Sequence, residues 1–238
     1  AEANATALQM FDAAIEADPN NAQAYAWKAC TLGQAMVRGY DERPMPQIMS
    51  DFEQLMSSAL SIDPHDFECH RLQCAVNTMM GNMQAALEHG KKAYEAVPND
   101  PRILQQYGEV LLKTGDTTEG CDLMLLALEY DPIAQGQTNS DKRKSDVVFG
   151  CLLDDRPELG LKIASEISSC SAKVVLYAAT LAVDISGSIE SYSWLISDIR
   201  KSKKEEMIAE IEQMGKVDVV LQSKMKEVYF DKILPHCA

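Results

Sequence analysis

Cys69, His70 and Cys74 are the residues of this chain whose types most invite chemistry, because thiolate and imidazole are the usual ligands of zinc. Their spacing argues against it: neighbours on a helix point in different directions, so Cys69 and His70 do not converge on one ion. No metal is expected. The sequence contains no GxxxxGK[ST] phosphate loop, no GxGxxG dinucleotide turn, no HExxH, no GxSxG and no paired CxxC. His65 and His89 fall where helix starts or exposed flanks are expected, His236 lies in the tail, and nothing marks any carboxylate as desolvated. Methionines such as Met79, Met80 and Met124 fit core filling better than a cofactor box. The expectation is a chain with no catalytic residue and no cofactor, whose function lies in its surface.

The elements that carry these residues repeat. Pro64, Pro98 and Pro132 are evenly spaced, with the same interval on either side of Pro98. Five residues before them stand Ala59, Ala93 and Ala127, and Ala14 bears the same relation to Pro19. Twelve before come Ala86, Gly120 and Ala7, with Phe52 as the exception; twenty-four before come Cys74 and Gly108. Small residues at those places let two antiparallel helices approach closely, which gives Cys74 a packing role. Gly81-Asn82 and Gly115-Asp116 fit tight turns, with glycine at positive φ and Asn or Asp capping the next helix. The prolines mark where one unit ends and another begins.

In the length of its unit and its small-residue pattern the chain resembles the tetratricopeptide repeat, closely over residues 63–132 and again in the helix before Pro19. Gly90, His70 and Gln73 depart from the family pattern and imply local repacking. The resemblance implies an all-α, right-handed superhelix of stacked antiparallel helix pairs.

In order, a lone helix over 4–17 sets Leu8, Phe11 and Ile15 on one stripe, and it reads as the second half of a repeat. The chain is therefore expected to be a piece of something longer, with an apolar edge exposed at its N-terminal side. The stretch from Pro19 to Pro64 is longer than the period. Its helices are expected near 21–38 and 47–61, joined by an inserted loop, RGYDERPMP, that could set specificity. Two regular units follow, with helices near 65–80, 82–96, 100–114 and 116–130. Residues 1–132 form the array proper. Residues 133–238 continue it as decayed repeats, near 144–153, 156–169, 172–185 and 188–199. Two last helices cap its open end with a polar outer face, the second aligning Val217, Val220, Leu221, Met225, Val228 and Tyr229.

The formal charge of −14, from 22 Lys and Arg against 36 Asp and Glu, disfavours nucleic acid and membrane surfaces as partners. Lys142-Arg143-Lys144 is read as a solvated helix end or linker. Seven cysteines without framework spacing, no leader and no long apolar run point to a reducing, cytoplasmic setting.

What remains is surface. By the resemblance, the first helix of each unit lines the concave side, with Gln23, Ala26, Trp27 and Cys30, then Arg71, Ala75, Thr78 and Met79, then Arg102, Gln105, Gln106, Glu109 and Lys113. Arg71 and Arg102 on adjacent helices could hold a carboxylate between guanidinium forks, and Gln105 and Gln106 could read a peptide backbone. The lysines and asparagines of the family's clamp for acidic C-terminal peptides are replaced by Ala26, Cys30 and Leu72, so that activity is not expected. The function inferred is a non-enzymatic scaffold that binds a peptide or partner helix in the groove. The alternatives are a regulatory or dimerisation segment of a bacterial multidomain regulator, such as an adenylate cyclase-like or transcription-regulator protein, and a homodimer formed through the N-terminal edge.

Overall fold

The computed structural model describes residues 1–134 and 136–237. Among them there are thirteen α-helices and no strand. The first six are α1 (Glu2–Ala17), α2 (Ala22–Val37), α3 (Met45–Ile62), α4 (Phe67–Met80), α5 (Met83–Ala96) and α6 (Pro101–Thr114). They are followed by α7 (Thr117–Tyr130), α8 (Asp141–Leu153), α9 (Pro157–Ser165), α10 (Ala172–Ser186), α11 (Ser193–Lys201), α12 (Lys204–Met214) and α13 (Val219–Val228). No described helix is long and apolar enough to cross a membrane.

Local chemistry sets the boundaries. Asn21 and Asp66 cap α2 and α4 by accepting from the amides of Ala24 (3.1 Å) and Cys69 (2.7 Å). Gly81 ends α4 in the left-handed region at φ 79°, returning its N–H to the last turn. The capping expected of Asn82 and Asp116 is not made: both occupy the N-cap position, but neither side chain bonds a helix amide. The loop between α2 and α3 is pinned by Arg43, which pairs with Asp41 (2.8 Å) and with Asp51 of α3 (2.7 Å).

The chain divides into two compact units within α6, between Gln106 and Tyr107, whereas the change from regular to decayed repeats is expected in the sequence after Pro132. In the first unit α1, α3 and α4 pack on α2, and α5 packs on α4. Ala29, Leu32, Phe52, Met56 and Cys69 form its core.

In the second unit the packing of α6 on α7 depends on two glycines. A Cβ on Gly108 would stand 2.8 Å from the carbonyl oxygen of Gly120, and one on Gly120 would stand 2.7 Å from that of Gly108. Only backbone against backbone permits that approach. The centre of this unit is α10, whose residues from Val174 to Ala182 are all buried and almost all apolar. Helices α8, α9, α11, α12 and α13 surround it.

Three sequence expectations need correction here. Arg143 is not solvated. It is buried and donates through Nε to the Asp131 carbonyl (3.1 Å), satisfying the end of α7. The outer face at the end of the chain is not wholly polar, for Val219, Val220 and Phe230 are exposed. The sequence reading sets Val220 on the buried stripe of the last helix, but α13 begins at Val219 and buries Leu221, Met225 and Val228, about 100° round the helix from Val220, and the chain closes in a π-helical turn at Tyr229–Ile233.

Candidate peptide-docking face

The first helices of the repeats in the first unit, α2 and α4, together with the start of α6, bring a polar cluster together around Glu68. Arg71 follows Glu68 by three residues, so both lie on one face of α4. Its Nε donates to Glu68 Oε1 (3.1 Å), and its Nη2 makes a second bond to the same oxygen. From the first turn of α6, Arg102 Nη2 reaches Glu68 Oε2 at 3.3 Å. Glu68 is 1% exposed, so the carboxylate is held between two guanidinium groups away from water.

Asp100 completes the cluster, bonding Arg102 through Nη2 (2.6 Å) and Nε (3.1 Å) and accepting its amide (2.8 Å). Burial pushes the Asp100 carboxyl up, but the bonds and charge of Arg102 outweigh that and hold it below the usual carboxylate value. The guanidinium of Arg102 is correspondingly raised, chiefly by its bond to Asp100. Two cations and two carboxylates cancel, so the cluster is neutral. Gln106, with its amide turned to satisfy both ends, accepts from Arg71 Nη1 (3.2 Å) and donates to the Arg71 carbonyl (3.1 Å). Cys30 of α2 lies beside Arg71 and Glu68, and burial raises its thiol.

The sequence-derived residues are therefore only partly where a groove would need them. Arg71 and Arg102 do come together and do hold a carboxylate, but it is that of Glu68 in the same chain. Trp27 is half-buried on α2 and donates through Nε1 to Gln23 Oε1 (3.0 Å), while the Gln23 amide bonds Asp66. Met79 is open to solvent, with 51% of its surface exposed. Thr78 turns its hydroxyl back to the Cys74 carbonyl (2.8 Å), and Gln105 is half-buried. Glu109 and Lys113, in the second unit, pair with each other one turn apart on α6. Ala26 lines nothing: it is fully buried in the core of the first unit.

Sequence reasoning misses Glu68 and Asp100, yet the period contains them. Arg102 stands one period after Glu68, and Asp100 stands one period after Asp66. Equivalent positions on successive first helices are neighbours, so opposite charges one period apart are a readable pairing. His89 also differs from expectation. It is not on an exposed flank but half-buried in the middle of α5, with Nδ1 2.9 Å from His70 Nδ1. Among the described residues no three His, Cys, Asp or Glu are grouped to hold a metal.

The fold is that of the tetratricopeptide repeat. YrrB, described as a TPR protein with an unusual peptide-binding site, superposes with a TM-score of 0.60 at 14% identity, over 91% of this chain and 97% of its own. PilF of Pseudomonas aeruginosa matches with a TM-score of 0.56 at 16% identity, over 88% and 89%. A chain of the APC/C hetero-tetramer Cut9–Hcn1 matches with a TM-score of 0.60 at 13% identity, over 95% of this chain but 40% of its own. No protein-family model and no curated protein sequence matches the chain.

Proposed function

We propose that the chain is a non-enzymatic protein-interaction module of the cytoplasm that docks a peptide or a partner's helix on the face shared by α2, α4 and the start of α6. One observation carries this reading: the polar centre of that face is already neutralised from within, while Trp27 on α2 and Met79 in the last turn of α4 keep exposed apolar surface. A face arranged in this way takes its affinity from apolar anchors and its register from fixed polar groups. Arg102, Gln105 and Gln106 are the polar readers on this face. The peptide-binding description attached to YrrB supports the same class of activity. The strongly acidic chain favours protein over nucleic acid or membrane as partner.

The test is selection of peptides from a random display library on the whole chain, followed by titration against Trp27→Ala/Met79→Ala. A loss of about 10-fold or more supports the face, since truncating a central anchor costs at least that much. Equal binding to both chains rejects it.

A second reading, self-association, has its own observation: α1 has no fully buried residue, and Met10 is 69% exposed. A dimer that dissociates on Met10→Glu, measured by sedimentation, supports it. A monomer at all concentrations rules it out.

A further inference from the structure

The helices α7 and α8 bring two cysteines into direct contact. Cys121 Sγ and Cys151 Sγ lie 4.0 Å apart, and both residues are fully buried. Glycines on both sides hold this arrangement. A Cβ on Gly150 would press on Cys121 Sγ at 3.3 Å, and one on Gly160 would lie 2.8 Å from Cys151 Cβ. Backbone therefore passes close to each cysteine, and the side chains are directed at one another. A disulfide needs the sulfurs about 2 Å nearer.

We propose that Cys121 and Cys151 are a modification site, forming an intramolecular disulfide when the chain meets a peroxide. The Cys121 thiolate attacks one peroxide oxygen and breaks the O–O bond; the sulfur becomes a sulfenic acid, and the leaving hydroxide takes up the proton released when the thiolate formed and departs as water. Cys151 sulfur then displaces the sulfenic oxygen, which leaves as a second water with the Cys151 proton, and the S–S bond forms. Two sulfurs lose one electron each, and the two peroxide oxygens gain them.

The surroundings favour a thiolate on one member of the pair. A thiolate on Cys121 is favoured first by the S–H that Cys151 donates and then by the Arg156 guanidinium, against the cost of burial. Arg156 is held at that spot by Asp122 (2.7 Å) and Asp154 (2.6 Å). The Cys151 thiol is pushed far up, by the same sulfur contact and by burial. The bond would join the closing helix of the last regular repeat to the helix that follows it.

The experiment uses the whole chain carrying Cys30→Ser, Cys170→Ser and Cys237→Ser, which removes the three half-exposed thiols. It is treated with hydrogen peroxide, unfolded, alkylated and mapped without reduction. The expected result is loss of one pair of hydrogens, located in a peptide pair linking Cys121 to Cys151 and reversed by dithiothreitol. A parallel Cys151→Ala chain, checked for helicity by circular dichroism, forms no such link. Full alkylation of both cysteines after peroxide would overturn the proposal. So would their conversion to sulfinic acid, or linkage of either to a different cysteine in the folded chain.

Discussion

Glu68 and Arg102 stand at equivalent places in successive repeats, one period apart in sequence, and meet at 3.3 Å through Oε2 and Nη2. Together with Arg71 and Asp100 they close the charge of the first unit's polar centre, so removing one member leaves that charge unbalanced. Glu68→Gln leaves the buried Arg71 guanidinium without its carboxylate, while Arg102 keeps only Asp100. The loss expected is about 3 kcal/mol, as for other buried pairs broken on one side. Urea unfolding followed by Trp27 fluorescence in a Trp194→Phe background measures it. A loss within the error of the wild type would mean that water already screens the cluster.

Gly108 and Gly33 form a contrast within one residue type. Alanine favours a helix over glycine by about 1 kcal/mol, and at Gly33 the added Cβ meets open space. Gly33→Ala is therefore expected to stabilise, by roughly 0.5 to 1 kcal/mol. At Gly108 the Cβ would collide with the Gly120 carbonyl at 2.8 Å, and backbone does not yield as a side chain does. Gly108→Ala is expected to destabilise by about 2 kcal/mol despite the better helix propensity. Thermal melts of both variants decide the matter, and a Gly108→Ala chain as stable as Gly33→Ala would contradict the packing described.

His70 and His89 predict a pH dependence. His70 Nε2 stands 3.0 Å from the Pro64 carbonyl, to which it must donate, so its Nδ1 accepts from His89 Nδ1–H and both rings are neutral. Burial lowers both below the ordinary value of 6.5, with Lys92 acting in the same direction on each, and Asp66 near His70 and Glu88 near His89 opposing. A base with a lowered folded pKa contributes stability that is complete above 6.5 and is lost as the pH falls through the folded value. The urea midpoint should therefore drop as the pH is lowered from neutral into the mildly acidic range, and drop less in His89→Gln. An identical drop in both chains would assign the effect to other groups.

Arg143 offers a fourth case. Its buried side chain closes the end of α7 through the Asp131 carbonyl and, at 3.3 Å, the Asp131 carboxylate. Arg143→Met keeps much of the volume and removes the donors, leaving a helix carbonyl without its partner. A cost of about 1 to 3 kcal/mol is expected from denaturation of the variant. Neutral substitution would show that the aliphatic stem alone matters.

The regular helices are legible because prolines, turn glycines and small residues recur in register from Pro64 to Pro132, and each has one local meaning. The helices at 67–80, 83–96, 101–114 and 117–130 lie close to expectation at both ends. Beyond Pro132 the punctuation is lost, yet α10 is still evident as a continuous apolar run. The site is less legible. Arg71 and Arg102 stand out by type, but Glu68 emerges only when opposite charges one period apart are compared, and Asp100 only from its place two residues before Arg102. The contact of Cys121 with Cys151 has no signal of its own, because it arises from glycines on neighbouring helices that set how closely those helices pass. His89 is misread for a similar reason: its partner lies on another helix, and a lone histidine in a sequence does not show which.

The docking face is tested most directly by amide hydrogen exchange on the whole chain, with and without a saturating amount of a library-selected peptide. The account predicts added protection in α2 and α4 and in the first turns of α6, centred on the turns carrying Trp27, Arg71 and Arg102. Protection confined to α1, or to the exposed end around Val219, Val220 and Phe230, with α2 and α4 unchanged, would contradict it.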